Sequence, residues 1–417
     1  MNYKITPPYH RSRLAFDMPL SKSISNRALL IDALTPGDVD KTERFAACDD
    51  TRAMESGLMK ASTGGRVDIG AAGTAMRFLT AYFATRPGVE VTIDGSERMR
   101  KRPIALLVEA LRSLGADISY EMNEGVPPLK INGRLLDGGS VRIPGSVSSQ
   151  YISALMMIGP TMKNGLTINL EGRIISLPYI LMTAIMMMRA GAHVMFQDHT
   201  IEIAHGDYQP VTWKVEGDWS SASYWYELTA SNATNGIRLG NLAPSSIQGD
   251  AAVARYFNQL GVDTSFVEDN GESVALLSRT SKHVDRLNID LAGQPDLAQT
   301  IAVTAFLLEI PFYISGLSTL PSKETDRLQA LRAELGRLGC NIRVIDNEII
   351  SWDGTIGRPD ETPRIRTYKD HRMAMAFAPA AVKYPGLIIE DVDVVSKSYP
   401  EYWTNLAGAG FKLDIVK

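Results

Sequence analysis

Six times along the chain a helix-like run of apolar positions ends at a glycine and gives way to a short alternating stretch, after Gly64, Gly115, Gly191, Gly261, Gly339 and Gly410. A repeat is implied. In each copy the glycine suits the left-handed end of a helix, and the positions one, three and five residues later are mostly apolar, as a half-buried strand requires. Only Gly65 and Thr264 interrupt that register. The marks stand roughly 50–80 residues apart, too far for a solenoid of about 20–50-residue repeats and close to a small βαβ-type subdomain. Six such units exceed a single core in a chain of 417 residues, so three are expected around each of two centres, with a cleft between two lobes.

Further helices follow from spacing. Ala28, Leu29, Ile31, Ala33 and Leu34, closed by Pro36 and Gly37, predict one; Tyr151 to Met157 predict a second. Leu328, Leu331, Leu335 and Leu338 predict a third, and Gly73-Thr74 opens a fourth over Ala75 to Leu79. The methionine-rich run from Ile180 to Met188 reads as a core helix, far short of the ~20 residues that cross a bilayer. His193, His199 and His205 fall along a predicted hairpin.

Composition narrows the function classes. With 45% hydrophobic and 22% charged residues the chain has ample material for two cores, and its formal net charge of -4 argues against a general nucleic-acid surface. Cys48 and Cys340 are its two cysteines and sit in no metal or redox spacing, which fits a reducing compartment. No HExxH-like pair occurs among the six histidines, so no metal is expected. Met1 to Pro8 lack an apolar signal core, which predicts a cytoplasmic start. Neither a membrane nor a nucleic-acid partner is expected, and the chain is expected to act as a monomer.

Cationic side chains instead gather in short cassettes with hydroxyl or acidic companions: Ser21 to Arg27, Arg98 to Pro103, Ser148 to Gln150, Lys323 to Arg327, Asp370 to Arg372, and Ser396 to Ser398. Several open a predicted helix, where unpaired N–H groups and a partial positive charge favour anions. A small ligand with several negative charges is implied. Taken singly, each cassette has a plainer reading as a helix cap or a solvated face. Glu324, flanked by Lys323 and Arg327, is a candidate proton-transfer group, and Asp296 is a second isolated acid at a predicted helix start. GxxxxGK[ST] is absent, and Gly70 to Gly73 lacks GxGxxG spacing, so no nucleotide cofactor is invoked.

In order and approximate spacing, SKSISNRAL, GTAMR, RMRKRP, GSVSSQ, VEGDWSSASY, QGD, KETDR, DHRMAM and SKSYPEYW resemble the 5-enolpyruvylshikimate-3-phosphate synthase family from Lys22 to Lys397. The resemblance implies an α/β protein, a two-lobed inverse α/β barrel with three βαβαββ units per lobe and its active site in the interlobe cleft. Residues 20–216 would form one lobe, and residues 1–19 with 217–417 the other. It implies transfer of the enolpyruvyl group of phosphoenolpyruvate to the 5-hydroxyl of shikimate 3-phosphate, with release of phosphate and closure of the lobes on binding. Shikimate 3-phosphate would be held by Lys22, Ser23, Arg27, Ser148, Ser149, Gln150, Ser176, Asp296 and Lys323. Phosphoenolpyruvate would be held by Lys22, Gly73, Arg102, Gln150, Arg327, Arg372 and Lys397. Glu324 would donate the proton, Asp296 would act as base, and Lys22 would stand with them among the catalytic groups.

The chain departs from the family pattern at Leu20, Ala71, Phe78, Leu177 and Thr319, where Gly, Asn, Pro, Lys and, in some members, Asn are usual. Losing one hydrogen bond to a charged ligand costs about 1.5–3 kcal/mol, which lowers activity without abolishing it. Two further readings therefore stand beside the transferase: an anion-binding relict without turnover, and a transferase acting on a UDP-sugar.

Overall fold

The structure, a computed structural model, describes residues 1–37, 45–269 and 271–417. The chain divides into two compact units, a larger one of Met1–Leu20 with Glu216–Lys417 and a smaller one of Ser21–Val215. Leu20 and Gly217 form an isolated antiparallel bridge in the larger unit, so the chain's departure and its return lie side by side.

Five four-stranded sheets occur among the described residues; four share the strand order first-second-fourth-third, and in the fifth the N-terminal strand Asn2–Thr6 takes the place of the fourth. The smaller unit has Gly65–Asp68, Glu90–Asp94, Leu129–Asn132 and Asp117–Tyr120 across one sheet, and Gly139–Pro144, Leu166–Glu171, Thr200–Ile203 and Val194–Gln197 across the other. Sheets of the larger unit run Leu14–Asp17, Ile237–Gly240, Glu272–Arg279, Val262–Asp269; then Leu287–Asp290, Phe312–Ser315, Ile349–Trp352, Arg343–Ile345; and Arg364–Ile365, Leu387–Ile389, Asn2–Thr6, Lys412–Val416. Within each, the first two strands are parallel and the remaining pairs antiparallel. A parallel pair needs a crossover helix, and a hairpin then closes the unit, which is the βαβαββ pattern.

Among the described residues each unit carries six α-helices. Those of the smaller unit are α1 (Lys22–Leu34), α2 (Asp49–Leu58), α3 (Gly73–Ala84), α4 (Ala105–Ser113), α5 (Ser149–Ile158) and α6 (Leu177–Arg189). The larger unit has α7 (Trp219–Ala230), α8 (Val253–Asn258), α9 (Ala298–Leu307), α10 (Arg327–Arg337), α11 (His371–Phe377) and α12 (Tyr402–Gly408). All six marker glycines take positive φ, between 62° and 97°, where a side chain would be strained. The first mark behaves differently from the other five: α1 and α2 precede it, but Gly65–Asp68 opens the next sheet, and no sixth sheet is found among the described residues. That difference accounts for the broken register at Gly65.

Odd-numbered helices from α3 to α11 are buried on nearly every face, whereas α4 and α10 keep an exposed polar side. A helix apolar all round belongs inside, and an amphipathic one covers it. Glu227 violates this rule on α7. It is fully buried, and neither carboxylate oxygen has a hydrogen-bond partner among the described residues. Burial pushes its carboxyl well above the usual range. The folded chain thus keeps this proton to higher pH than the unfolded chain, whose carboxyl titrates near ~4.3. Stability from this group is complete below that value and is lost as pH rises through the folded one. Glu227→Met is expected to stabilise the protein by an amount that grows between about pH 5 and pH 8, read from urea midpoints at both pH values. An equal midpoint shift at the two would mean that Glu227 is not titrating in that window.

Candidate active site

In the larger unit, four cations and three carboxylates interlock at the starts of α10 and α11. Asp370, fully buried as the N-cap of α11, accepts from Arg327 Nε at 2.7 Å and Nη2 at 3.3 Å. Arg327 also donates through Nη1 to Asp296 Oδ1 at 2.8 Å and through Nη2 to Glu324 Oε2 at 2.9 Å. Arg372 Nη2 reaches Asp296 Oδ2 at 3.0 Å, Lys323 Nζ lies 3.5 Å from Asp296 Oδ1, and Lys397 pairs with Glu324 Oε1. Chain segments distant in sequence are thereby drawn to one point.

The pairing decides the electrostatics. Burial raises the Asp296 carboxyl, but Arg372, Lys323 and Arg327 outweigh it and hold the group well below the usual carboxylate range. Burial by itself would depress Arg327, yet Asp370, Glu324 and Asp296 together raise it further. Three carboxylates occupy four of the five N–H groups of Arg327. The one edge of Arg327 that makes a bidentate grip is therefore already taken by Asp370. A ligand must compete for the edge facing Asp296 and Glu324.

The plainer reading of an acid in such a cassette is a helix cap. It fits Asp326, whose Oδ1 accepts from the N–H groups of Leu328 and Gln329 at 3.1 Å. Glu324 stands ahead of the cap and turns to the cations instead. Asp296, in the 3₁₀ turn Pro295–Leu297, likewise bonds guanidinium groups.

In the smaller unit the named residues sit at or near the starts of α1, α3, α5 and α6, except Arg102, which follows the 3₁₀ turn Met99–Lys101. Lys22 Nζ pairs with buried Asp50 Oδ2 of α2 at 2.9 Å. Ser148 caps α5, Ser149 opens it, and Gln150 Nε2 donates to Thr74 Oγ1 of α3 at 3.0 Å. Ser176, at the N-cap of α6, adopts φ 57° and makes no side-chain capping bond. Arg27 is buried and donates to Thr183 Oγ1 at 2.7 Å, Ser153 Oγ at 3.1 Å, and the carbonyls of Ser23 at 2.9 Å and Tyr179 at 3.3 Å. Burial lowers its guanidinium to about 10, against a weaker opposing effect of Tyr179.

Gly73 begins α3, whose N-cap, Ala72, supplies no capping side chain. Its Cα faces two guanidinium groups. A Cβ there would lie 2.5 Å from Arg102 Nη1 and 2.8 Å from Arg77 Nη1. Arg77 is anchored to the carbonyls of Gly73 and Pro103 and lies over the Tyr151 ring, so an added Cβ would crowd Arg102 against a fixed neighbour. If Gly73 and Arg102 hold phosphoenolpyruvate, as the resemblance implies, Gly73→Ala is expected to raise KM for phosphoenolpyruvate about tenfold, equivalent to ~1.4 kcal/mol, while KM for shikimate 3-phosphate stays within about twofold. Steady-state kinetics with each substrate varied would check this; equal rises in both constants would contradict it.

Asp50 is not singled out by the sequence, and Thr74, Arg77 and Asp370 stand within its motifs without a role of their own. Asp370 carries the clearest missed signal, since it stands two residues before Arg372 at the start of an otherwise apolar helix. The others become visible only when helices pack. Ala71 is exposed just ahead of the α3 cap, and Thr319 is buried with its hydroxyl unpartnered among the described residues. Among the described residues no group of three His, Cys, Asp or Glu side chains is placed to hold a metal, and no helix is long and apolar enough to cross a membrane.

Repeated βαβαββ units bearing cationic helix starts, with two acids held among the cations, define an α/β protein built to collect small polyanions. The family model described as EPSP synthase (3-phosphoshikimate 1-carboxyvinyltransferase) matches residues 55–406. A 3-phosphoshikimate 1-carboxyvinyltransferase of Bacteroides fragilis is 47% identical, covering 100% of this chain and 99% of its own. One from Shewanella piezotolerans is 35% identical over 97% of this chain and 98% of its own. The solved EPSP synthase of Acinetobacter baumannii superposes with a TM-score of 0.77 over 99% of this chain and 100% of its own, at 20% identity, and so speaks for the fold. The chain belongs to the EPSP synthase family. The relict and UDP-sugar readings are not favoured by these likenesses.

Proposed function

We propose that the protein transfers the enolpyruvyl group of phosphoenolpyruvate to the 5-hydroxyl of shikimate 3-phosphate and releases phosphate, as a 3-phosphoshikimate 1-carboxyvinyltransferase. The observation that carries the assignment of roles is the pair Glu324 and Asp296, both bonded to Arg327 and each held by a further cation. Two acids in one cationic cluster suit a reaction that adds a proton to a methylene, removes one from a hydroxyl and handles anionic substrates throughout.

In this reading Lys22, Ser23, Arg27, Ser148, Ser149, Gln150 and Ser176 of the smaller unit, with Asp296 and Lys323 of the larger, hold shikimate 3-phosphate. Gly73 and Arg102, with Arg327, Arg372 and Lys397, hold phosphoenolpyruvate, and Lys22 and Gln150 serve both substrates. The reactive cycle begins when Glu324 protonates the enol methylene and Asp296 takes the proton of the attacking 5-hydroxyl. Carbon–oxygen bond formation gives a tetrahedral adduct. Loss of a methyl proton and of phosphate then restores the double bond. Asp296 is a poor base while three cations hold it, so substrate anions that draw those cations away raise its basicity at the moment it is needed. Assigned residues come from both units, and the protein acts alone as a cytoplasmic monomer.

Phosphate release from purified protein given both substrates tests the assignment. Release that requires both is the expected result. No release, with no thermal shift from shikimate 3-phosphate, would overturn it.

A further inference from the structure

Arg27 and Arg327 are both buried guanidinium groups in the two cationic clusters, yet their surroundings differ. Three carboxylates surround Arg327. Arg27 has none within ion-pair distance among the described residues; its named partners are two hydroxyls, two carbonyls and one aromatic ring. The ring is Phe78 of α3, fully buried, with Arg27 Cζ lying 5.5 Å from its centroid. A buried cation without a counter-ion is costly unless dipoles or a π face attend it.

We propose that Phe78 is a positioning residue for shikimate 3-phosphate: its ring supports the Arg27 guanidinium from α3 and keeps that charge in place without neutralising it. The inference rests on the assignment of Arg27 to that substrate. A carboxylate at position 78 would have satisfied the cation and removed its attraction for a ligand. An aromatic face attracts it through a quadrupole and leaves the full charge for an incoming anion. Hydrogen bonds fix the remaining edges. Nε and both N–H groups of Nη2 are engaged, and one N–H of Nη1 goes to Ser23, so one N–H is left for a ligand. That single donor is useful only if the group does not swing. Arg27 is bonded from α1, α5 and α6, and Phe78 is its contact from α3.

A double-mutant cycle of Phe78→Leu and Arg27→Met tests this. Its readouts are the dissociation constant of shikimate 3-phosphate by calorimetry, kcat, and KM for phosphoenolpyruvate. Phe78→Leu is expected to weaken shikimate 3-phosphate binding about five- to tenfold while kcat and the other KM stay within about twofold. In the Arg27→Met background the same change is expected to cost less than about twofold, an interaction that a purely packing role would not produce. Far-UV circular dichroism checks the fold, and Phe78→Met replaces Phe78→Leu if the latter does not fold. Equal losses in both backgrounds, or unchanged binding in Phe78→Leu, would overturn the role of Phe78 and leave Arg27 untouched. Unchanged binding in Arg27→Met would overturn the assignment of Arg27 and the proposal with it.

Discussion

Glu324→Gln is expected to lower kcat by about 10³-fold, within the range a positioned acid supplies, while shikimate 3-phosphate still binds within roughly threefold of the native value. The amide keeps the size of the carboxylate and one oxygen that accepts from Arg327 or Lys397, so the cluster is not emptied. What it loses is a proton to give. Phosphate release in a single turnover, together with calorimetric binding of shikimate 3-phosphate, separates the two effects. Turnover within tenfold of native would move the proton donor elsewhere, and the neighbour best placed to replace it is Lys397, bonded to Glu324 Oε1.

Much of this arrangement could be read from the chain because its signals are local. A glycine that must take positive φ at a helix end announces itself, and six did so. The hairpin bearing His199 and the methionine-rich helix α6 follow from period and length, and both are present. Residues 38–44 of the first repeat lie outside the described residues, and no sheet of that repeat is found among the described ones. Cassettes were legible for the same reason as the glycines, since hydroxyls and cations at helix starts are neighbours in sequence. Partners were not. Asp50 stands 28 residues from Lys22, and Asp370 43 residues from Arg327. Which acid meets which cation depends on how helices pack, and no period in the sequence records it.

Glu227 makes the same point from the opposite side. Nothing in the spacing of α7 marks position 227 as inward, because serines, tyrosines and tryptophans surround it. Only burial reveals an acid that has no counter-charge among the described residues. The chain thus treats its buried acids in two ways: Asp370 is bonded by a guanidinium on two edges, while Glu227 is left to hold its proton.

Arg327→Met is expected to destabilise the larger unit by about 3–5 kcal/mol and to abolish turnover, because removing one partner of a buried pair leaves the other charge uncompensated. The three acids do not suffer alike. Asp296 keeps Arg372 and Lys323, and Glu324 keeps Lys397. Asp370, with no exposed surface, keeps the backbone N–H of Arg372 at 2.9 Å and has His371 Nδ1 at 3.8 Å, and it bears most of the loss. Pairing the substitution with Asp370→Asn should therefore recover about 2 kcal/mol or more in urea unfolding without restoring activity, since the amide needs no cation but the ligand still does. Recovery of stability alone would separate the two duties of Arg327, one edge holding α11 through Asp370 and the other set against the acids of the active site. A loss under about 1 kcal/mol in Arg327→Met would instead show that the remaining contacts, or water, already satisfy Asp370, and that the guanidinium is present for the ligand rather than for the fold.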